Sequence, residues 1–149
     1  MSERLLRIVG ALLAAAGMTV TAYLLQVRWS GGLPICSTGG CGTVQSSSYA
    51  VVLGVPVAAL GLAGYTALFA AALARGERGR LAHGALALTA LGFSTYLLVI
   101  QLVVIDAVCE WCVASDVITT LIAAVALVRF LVADDRAAAR PVQLSPRAP

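Results

Sequence analysis

The chain has 149 residues, 60% of them hydrophobic and only 11% charged, against about 45–50% and about 25% in an average globular domain. That balance excludes a disordered chain and argues against a water-soluble globule, whose surface needs more charge than this. The formal net charge of +3 is carried by ten Arg and no Lys, and Arg scattered through apolar sequence makes no basic stripe for nucleic acid.

Charged residues punctuate the chain into apolar segments. Arg7 and Arg28 enclose twenty uncharged residues, IVGALLAAAGMTVTAYLLQV. This stretch is longer than the roughly 7–15 residues of a signal-peptide hydrophobic region, so it reads as a retained span although Val20-Thr21-Ala22 would serve as a cleavage site. Pro, Gly and Ser then break the chain until a second apolar run, Pro56 to Ala74. A third runs from Leu81 to Ile105, with His83 near its start, and a fourth from Trp111 to Val128, interrupted by Asp116. A helix rising ~1.5 Å per residue needs about 20 residues, range about 17–25, to cross ~30 Å of hydrocarbon. Backbone amides in lipid have no water to bond, so each segment is predicted to be helical. The expected fold is all-α, an integral membrane four-helix bundle with a mobile cysteine loop between the first two spans.

Orientation follows from the arginines. Arg4 and Arg7, then Arg75, Arg78 and Arg80, then Arg129, Arg136, Arg140 and Arg147 fall on one side, and Arg28 alone falls on the other. Both termini are therefore expected in the cytoplasm, with all four cysteines on the outer side of the membrane. Residues 1–133 form the expected redox domain, and the Ala-, Arg- and Pro-rich tail 134–149 reads as disordered.

Cys109-Glu-Trp-Cys112 is a C-x-x-C at the outer start of the fourth span. Three residues on a helical turn bring two sulfurs within reach of one disulfide, and a helix N-terminus lowers a thiol's pKa. Taken alone the motif fits a redox pair, a structural disulfide or a metal site. Cys36-Ser-Thr-Gly-Gly-Cys41 follows Pro34 in a segment whose glycines favour mobility. Closing so small a ring stabilises little, so a disulfide here suits exchange better than bracing. Zinc held by four thiolates is disfavoured in an oxidising compartment.

Two cysteine pairs on one side of a membrane suggest a relay. Outside thiols reduce the mobile pair, the mobile pair exchanges with the fixed pair, and the fixed pair passes two electrons onward. The sequence carries no G-x-G-x-x-G and only one His, on the opposite side. By elimination, the acceptor is a membrane quinone.

The segment from Cys41 to Ala50 (CGTVQSSSYA), followed by Leu53-Gly-Val-Pro56 and Gly61 to Tyr65, resembles the bacterial branch of the vitamin K epoxide reductase family. That family has a loop cysteine pair, a Ser or Thr six residues after its second cysteine, Tyr-Ala, Gly-x-Pro, Gly-x-x-x-Tyr, and a C-x-x-C opening the last core helix. The resemblance implies a four-helix bundle around a quinone of the menaquinone or ubiquinone type, with a short helix near residues 45–55 lying over it. It implies that Cys36 exchanges with a separate thioredoxin-fold protein, that Cys41 carries electrons to Cys109, and that Cys112 faces the quinone. Val57 and Asp116 stand where vertebrate members place a quinone-binding Asn and Tyr. Quinone reduction coupled to disulfide formation therefore fits better than epoxide reduction.

Asp116 lies four residues after Cys112, on the same helix face. An ionisable group inside a span is a functional candidate, here for relaying or orienting the protons of quinone reduction. Its plainer role is an interfacial Asp bonded to a nearby Ser or Thr. Ser47, at the six-residue position after Cys41, is a candidate to bond a quinone carbonyl or a leaving thiolate, or else caps a helix. Trp29 and Trp111 read as boundary anchors, and His83 as an interfacial residue beside Arg80. The competing reading of the whole chain is a non-enzymatic membrane protein braced by two disulfides.

Overall fold

The computed structural model describes residues 2–138. Helix α1 (Glu3–Trp29) opens with the Ser2 hydroxyl accepting from the Leu5 amide at 3.3 Å, and Glu3 sits in its first turn. Both features satisfy the positive, unpaired amide end of a helix. The helix stops at Ser30, and Gly31 follows with a φ of +70°, the left-handed residue that commonly ends helices.

Next come the cysteine loop, a short helix α2 (Cys41–Ser46), a 3-10 turn (Ser48–Ala50) and a two-residue antiparallel hairpin, β1 (Val51–Val52) and β2 (Val55–Pro56). The short helix thus starts earlier than the 45–55 expected from the resemblance. It ends where Ser46 and Ser47 turn their hydroxyls back onto the carbonyls of Thr43 and Val44, a local competition that Ser favours over continuing a helix. Residues 47–56 then form the turn and hairpin.

Three long helices complete the chain: α3 (Val57–Leu73), α4 (Gly76–Val99) and α5 (Glu110–Ala138). Each matches a predicted span. Glu3–Trp29, Gly76–Val104 and Glu110–Asp134 are long and apolar enough to cross a membrane. Helix α3, with 17 residues, is at the short end of the range, about 17–25 residues. Helix α5 continues past residue 133, and the rest of the expected tail, residues 139–149, lies outside the described residues.

The helices form a closed ring in which α1 packs on α3 and α5, and α4 on α5 and α3. The centre is built from Ala14, Tyr65, Leu68, Ala87, Ile122 and Ala126. Small residues let the backbones approach. A Cβ on Gly17 would stand 2.3 Å from the Tyr65 ring, so only glycine admits that ring. Large apolar side chains such as Leu12, Leu88, Val103 and Leu127 point outward. Small-in and large-out is the packing of a helical membrane bundle, where lipid rather than water meets the outer face.

The two ends of the bundle differ chemically. At one end, the carbonyls that close α3 have no partner within the helix and carry partial negative charge. Arg7 donates to Ala72 and Leu73, and Arg129 donates to Ala74 and approaches Glu3 at 3.8 Å. His83 was expected at the interface but is buried there, 1% exposed and seated over Gly10 and Ala72. The imidazole packs in van der Waals contact against the helix face that carries Gly10. The cysteines occupy the opposite end.

Candidate functional site

Cys36 and Cys41 form a disulfide, and Cys109 and Cys112 are free thiols whose sulfurs lie 2.8 Å apart. Cys41 and Cys109 are fully buried, while Cys36 and Cys112 are partly exposed. The loop disulfide meets the C-x-x-C segment at Gly40, where a Cβ would lie 2.4 Å from the Val108 carbonyl oxygen. Backbone against backbone at that point sets the residue before Cys41 directly on the residue before Cys109.

Helix α2 strengthens this juxtaposition. Cys41 and Gln45 are four residues apart and share one helix face. The Gln45 side chain stands close enough to the Cys109 sulfur to help stabilise its thiolate, so the face carrying Cys41 is turned toward Cys109. Arg28, the one Arg at this end among the described residues, donates to the Gln45 carbonyl at 3.0 Å and ties the close of α2 to α1.

Cys109 is the activated thiol. The Cys112 S–H hydrogen bond is the largest influence on it and outweighs burial; the amides of Cys112 and Trp111 and the Gln45 side chain act in the same direction. Together they hold the Cys109 thiol below its ordinary value of 9.0, at about 7. Stabilised thiolates are better leaving groups and are populated at neutral pH.

Under α2 lies a cavity of about 410 Å³, walled by α1, α3, α4 and α5. Its lining is mostly apolar: Leu24, Ala58, Leu68, Leu86, Phe93 and Leu97 among others. A few polar groups converge on it, namely Cys112, Asp116, Ser94, Gln101, Gln45 and Ser47. Apolar walls with a small number of placed polar groups are the usual make-up of a small-molecule site.

The structure brings together four of the six residues singled out from sequence in a way their spacing alone leaves open. Cys112 and Asp116 border the cavity from α5, and Ser47 borders it from the cap. Cys109 stands behind Cys112. Asp116 accepts a hydrogen bond from Ser94 of α4, so the plainer bonding partner and the cavity position coexist. The Ser47 hydroxyl donates to the Val44 carbonyl at 2.7 Å, closing α2 rather than capping the start of a helix, and its lone pairs remain as acceptors.

Sequence reading missed two residues. Ser94 lies 22 residues from Asp116 and no motif connects them. Gln101 is 2% exposed, and its side-chain nitrogen has no partner among the described residues. It sits in a π-helical turn, Ile100–Val104, that closes α4, and such turns recur at functional sites. A lone amide inside an apolar run was the available signal. Trp111 corrects an expectation: its ring packs on Tyr23 at 4.7 Å and its Nε1 donates to the Ile35 carbonyl at 2.8 Å, so it binds the loop rather than anchoring a boundary. Trp29 is exposed at the end of α1.

Tyr65 fixes the register of α5. Its hydroxyl lies 2.8 Å from both Ser115 Oγ and Thr119 Oγ1 and 2.9 Å from the Ser115 carbonyl. Those contacts bracket Asp116 and hold the segment after Cys112 against α3.

A paired set of cysteines, one thiol activated and its neighbour facing an apolar cavity, is thiol–disulfide chemistry adjoining a membrane. The sequence matches the model of the vitamin K epoxide reductase family over residues 8–127. With that match covering most of the chain, the protein belongs to the vitamin K epoxide reductase family, a family of membrane thiol oxidoreductases.

Proposed function

We propose that this protein oxidises a thioredoxin-fold dithiol protein at the cysteine end of the bundle and passes the electrons to a membrane quinone, supporting disulfide formation. The observation that carries this reading is the separation of roles within C-x-x-C: Cys109 is turned to the face of α2 that bears Cys41, and Cys112 is turned to the cavity. Nine of ten Arg lie toward the other end in sequence, which supports a cysteine end outside the cytoplasmic membrane by the positive-inside rule.

A partner thiolate attacks Cys36, forming a mixed disulfide and leaving the electron pair on Cys41. The partner's second thiol closes the partner's own disulfide and releases Cys36 as thiolate. Cys41 attacks Cys109 of the Cys109–Cys112 disulfide, and Cys112 takes the electron pair. Cys36 then attacks Cys41, restoring the loop disulfide and expelling Cys109, whose lowered pKa makes it a good leaving group. The resulting arrangement, loop pair bonded and inner pair free, is the one described above.

A flat apolar ring with two carbonyls fits the cavity's apolar walls and its few polar points. Cys112 would face it, with Asp116, Ser94, Gln101 and Ser47 at its polar edge. When bound, a quinone accepts two electrons and two protons. Cys109 and Cys112 supply the electrons by closing their disulfide, and their thiol protons leave with them. Asp116, held by Ser94 and one turn below Cys112, is placed to take up and hand on a proton. Apolar walls exclude water from the exchange.

The test is anaerobic turnover of the purified protein with a reduced thioredoxin-fold protein and either a decyl-substituted ubiquinone or menadione. Stoichiometric partner oxidation and quinol formation is the expected result. A protein with two inert disulfides, no partner adduct and no quinone consumption would establish the braced, non-enzymatic alternative.

A further inference from the structure

The loop that carries Cys36 is tied down at four points, three of them on or beside the C-x-x-C segment. The Thr38 amide donates to Glu110 Oε1 at 2.6 Å, and the Thr38 hydroxyl donates to the Val108 carbonyl at 3.0 Å. Trp111 Nε1 donates to the Ile35 carbonyl, while the Ile35 amide donates to the Tyr23 hydroxyl at 3.1 Å. Tyr23 and Trp111 in turn pack ring on ring. The Cys36 sulfur lies 3.8 Å from the same Glu110 oxygen and 3.3 Å from Thr38 Oγ1.

These bonds decide something the loop's own sequence does not. Ser37, Thr38, Gly39 and Gly40 contain no apolar side chain that would turn one sulfur inward and the other outward. An incoming thiolate can attack either sulfur of a disulfide, and access is one of the factors that selects between them. Attack at Cys41 would place the partner on the sulfur that has to reach Cys109, and would release Cys36, which is on the outer side. Electrons would then stall. Both residues between the two inner cysteines, Glu110 and Trp111, hold the loop so that Cys41 is buried and Cys36 is accessible.

We propose that Glu110 and Trp111 are positioning residues that set which sulfur of the loop disulfide a partner thiolate attacks. The inference rests on the thiol-oxidase reading above and adds the source of its regiochemistry. In the selected step the partner thiolate bonds to Cys36, the Cys36–Cys41 bond breaks, and the electron pair departs on Cys41. The Glu110 carboxylate makes a charge-assisted bond to Thr38, the stronger kind of hydrogen bond, and Trp111 supplies a second, directional tie.

The experiment uses the full chain in detergent and, as probe, a reduced thioredoxin-fold protein that keeps only its attacking cysteine. Mixed disulfides are quenched in acid and mapped by peptide mass spectrometry. In the unmodified protein the adduct is expected on Cys36. Trp111→Phe and Glu110→Ala each lose one tie, and the share of adduct on Cys41 is expected to rise by about fivefold. Glu110→Gln keeps an oxygen for the Thr38 amide but loses the charge, so its Cys41 share should lie between those of the unmodified protein and Glu110→Ala, a graded order that a general loss of stability would not predict. Where Glu110→Ala fails to fold, Trp111→Phe decides. An unchanged Cys36-to-Cys41 ratio in Trp111→Phe overturns the proposal and leaves the thiol-oxidase reading standing. No adduct on either cysteine of the unmodified protein overturns that reading, and the proposal with it.

Discussion

The Cys112 sulfur stands 2.8 Å from the Cys109 sulfur, yet of the four cysteines only Cys112 borders the cavity under α2. The pair therefore has an inner and an outer member. Replacing them one at a time should produce different trapped species. With Cys112→Ala, Cys109 is left as a lone thiol beside the loop disulfide, and a Cys41–Cys109 bond with a free Cys36 is expected to accumulate. Cys109→Ala should not yield the corresponding Cys41–Cys112 bond. Non-reducing mass mapping distinguishes them, and both variants should lose quinone-linked turnover.

The Cys109 thiol is held at about 7, chiefly by the Cys112 S–H. Its folded pKa is below the ordinary 9.0, so the stabilisation of the thiolate is complete above 9.0 and is lost as pH falls through about 7. In protein carrying Cys36→Ser and Cys41→Ser, thiolate absorbance should rise with a midpoint near 7, and adding Cys112→Ala should move that midpoint toward 9.0. A midpoint that stays put on removal of Cys112 would contradict this assignment.

Asp116→Asn keeps the shape of the side chain and removes its proton-accepting charge. Quinone reduction is expected to slow by about a hundredfold, the low end for a lost general acid–base group. Exchange between Cys36–Cys41 and a partner should be unaffected. Ser94→Ala removes only the bond to Asp116 and should cost about fivefold. Stopped-flow measurement of the two half-reactions separates these outcomes.

A buried donor without a partner destabilises a protein unless a ligand satisfies it. Gln101→Leu should therefore raise the melting temperature of the ligand-free protein while raising the KM for quinone by about tenfold. Its kcat should change little. A lower melting temperature with unaltered KM would mean that the amide's partner lies elsewhere.

Gly17→Ala places a methyl group in the space of the Tyr65 ring. Overpacking of this kind costs about 1–3 kcal/mol. Since Tyr65 also holds Ser115 and Thr119, on either side of Asp116, the variant should both unfold earlier and reduce quinone more slowly. Thermal unfolding in detergent and quinone turnover check the two effects.

Much of this was legible in the chain. The apolar runs located every long helix, because exclusion from water is a property of local composition. Charge did not mark every helix end: α4 begins five residues before its apolar run, within the Arg-rich turn, and α5 continues ten residues past Val128 through Arg129 and Asp134. Cysteine spacing distinguished a pair on a helical turn from a pair in a Gly-rich loop, since three residues along a helix have a known separation. His83 and Trp111 were misplaced for the opposite reason. Nothing local to His83 reveals its contact with Gly10, 73 residues earlier in sequence, and nothing near Trp111 reveals the Ile35 carbonyl 76 residues away.

Composition, periodicity and motif by themselves determined that this is a helical membrane protein of paired cysteines, because hydrophobic length and residue spacing act over one turn or one span. Tertiary structure alone decided which sulfur faces the cavity, which Ser holds Asp116, and how the loop is presented. Those relationships depend on the register between helices far apart in the chain. That register is set by close-packed contacts such as Gly17 on Tyr65 and Gly40 on Val108, where a single methyl group would shift one element against the other.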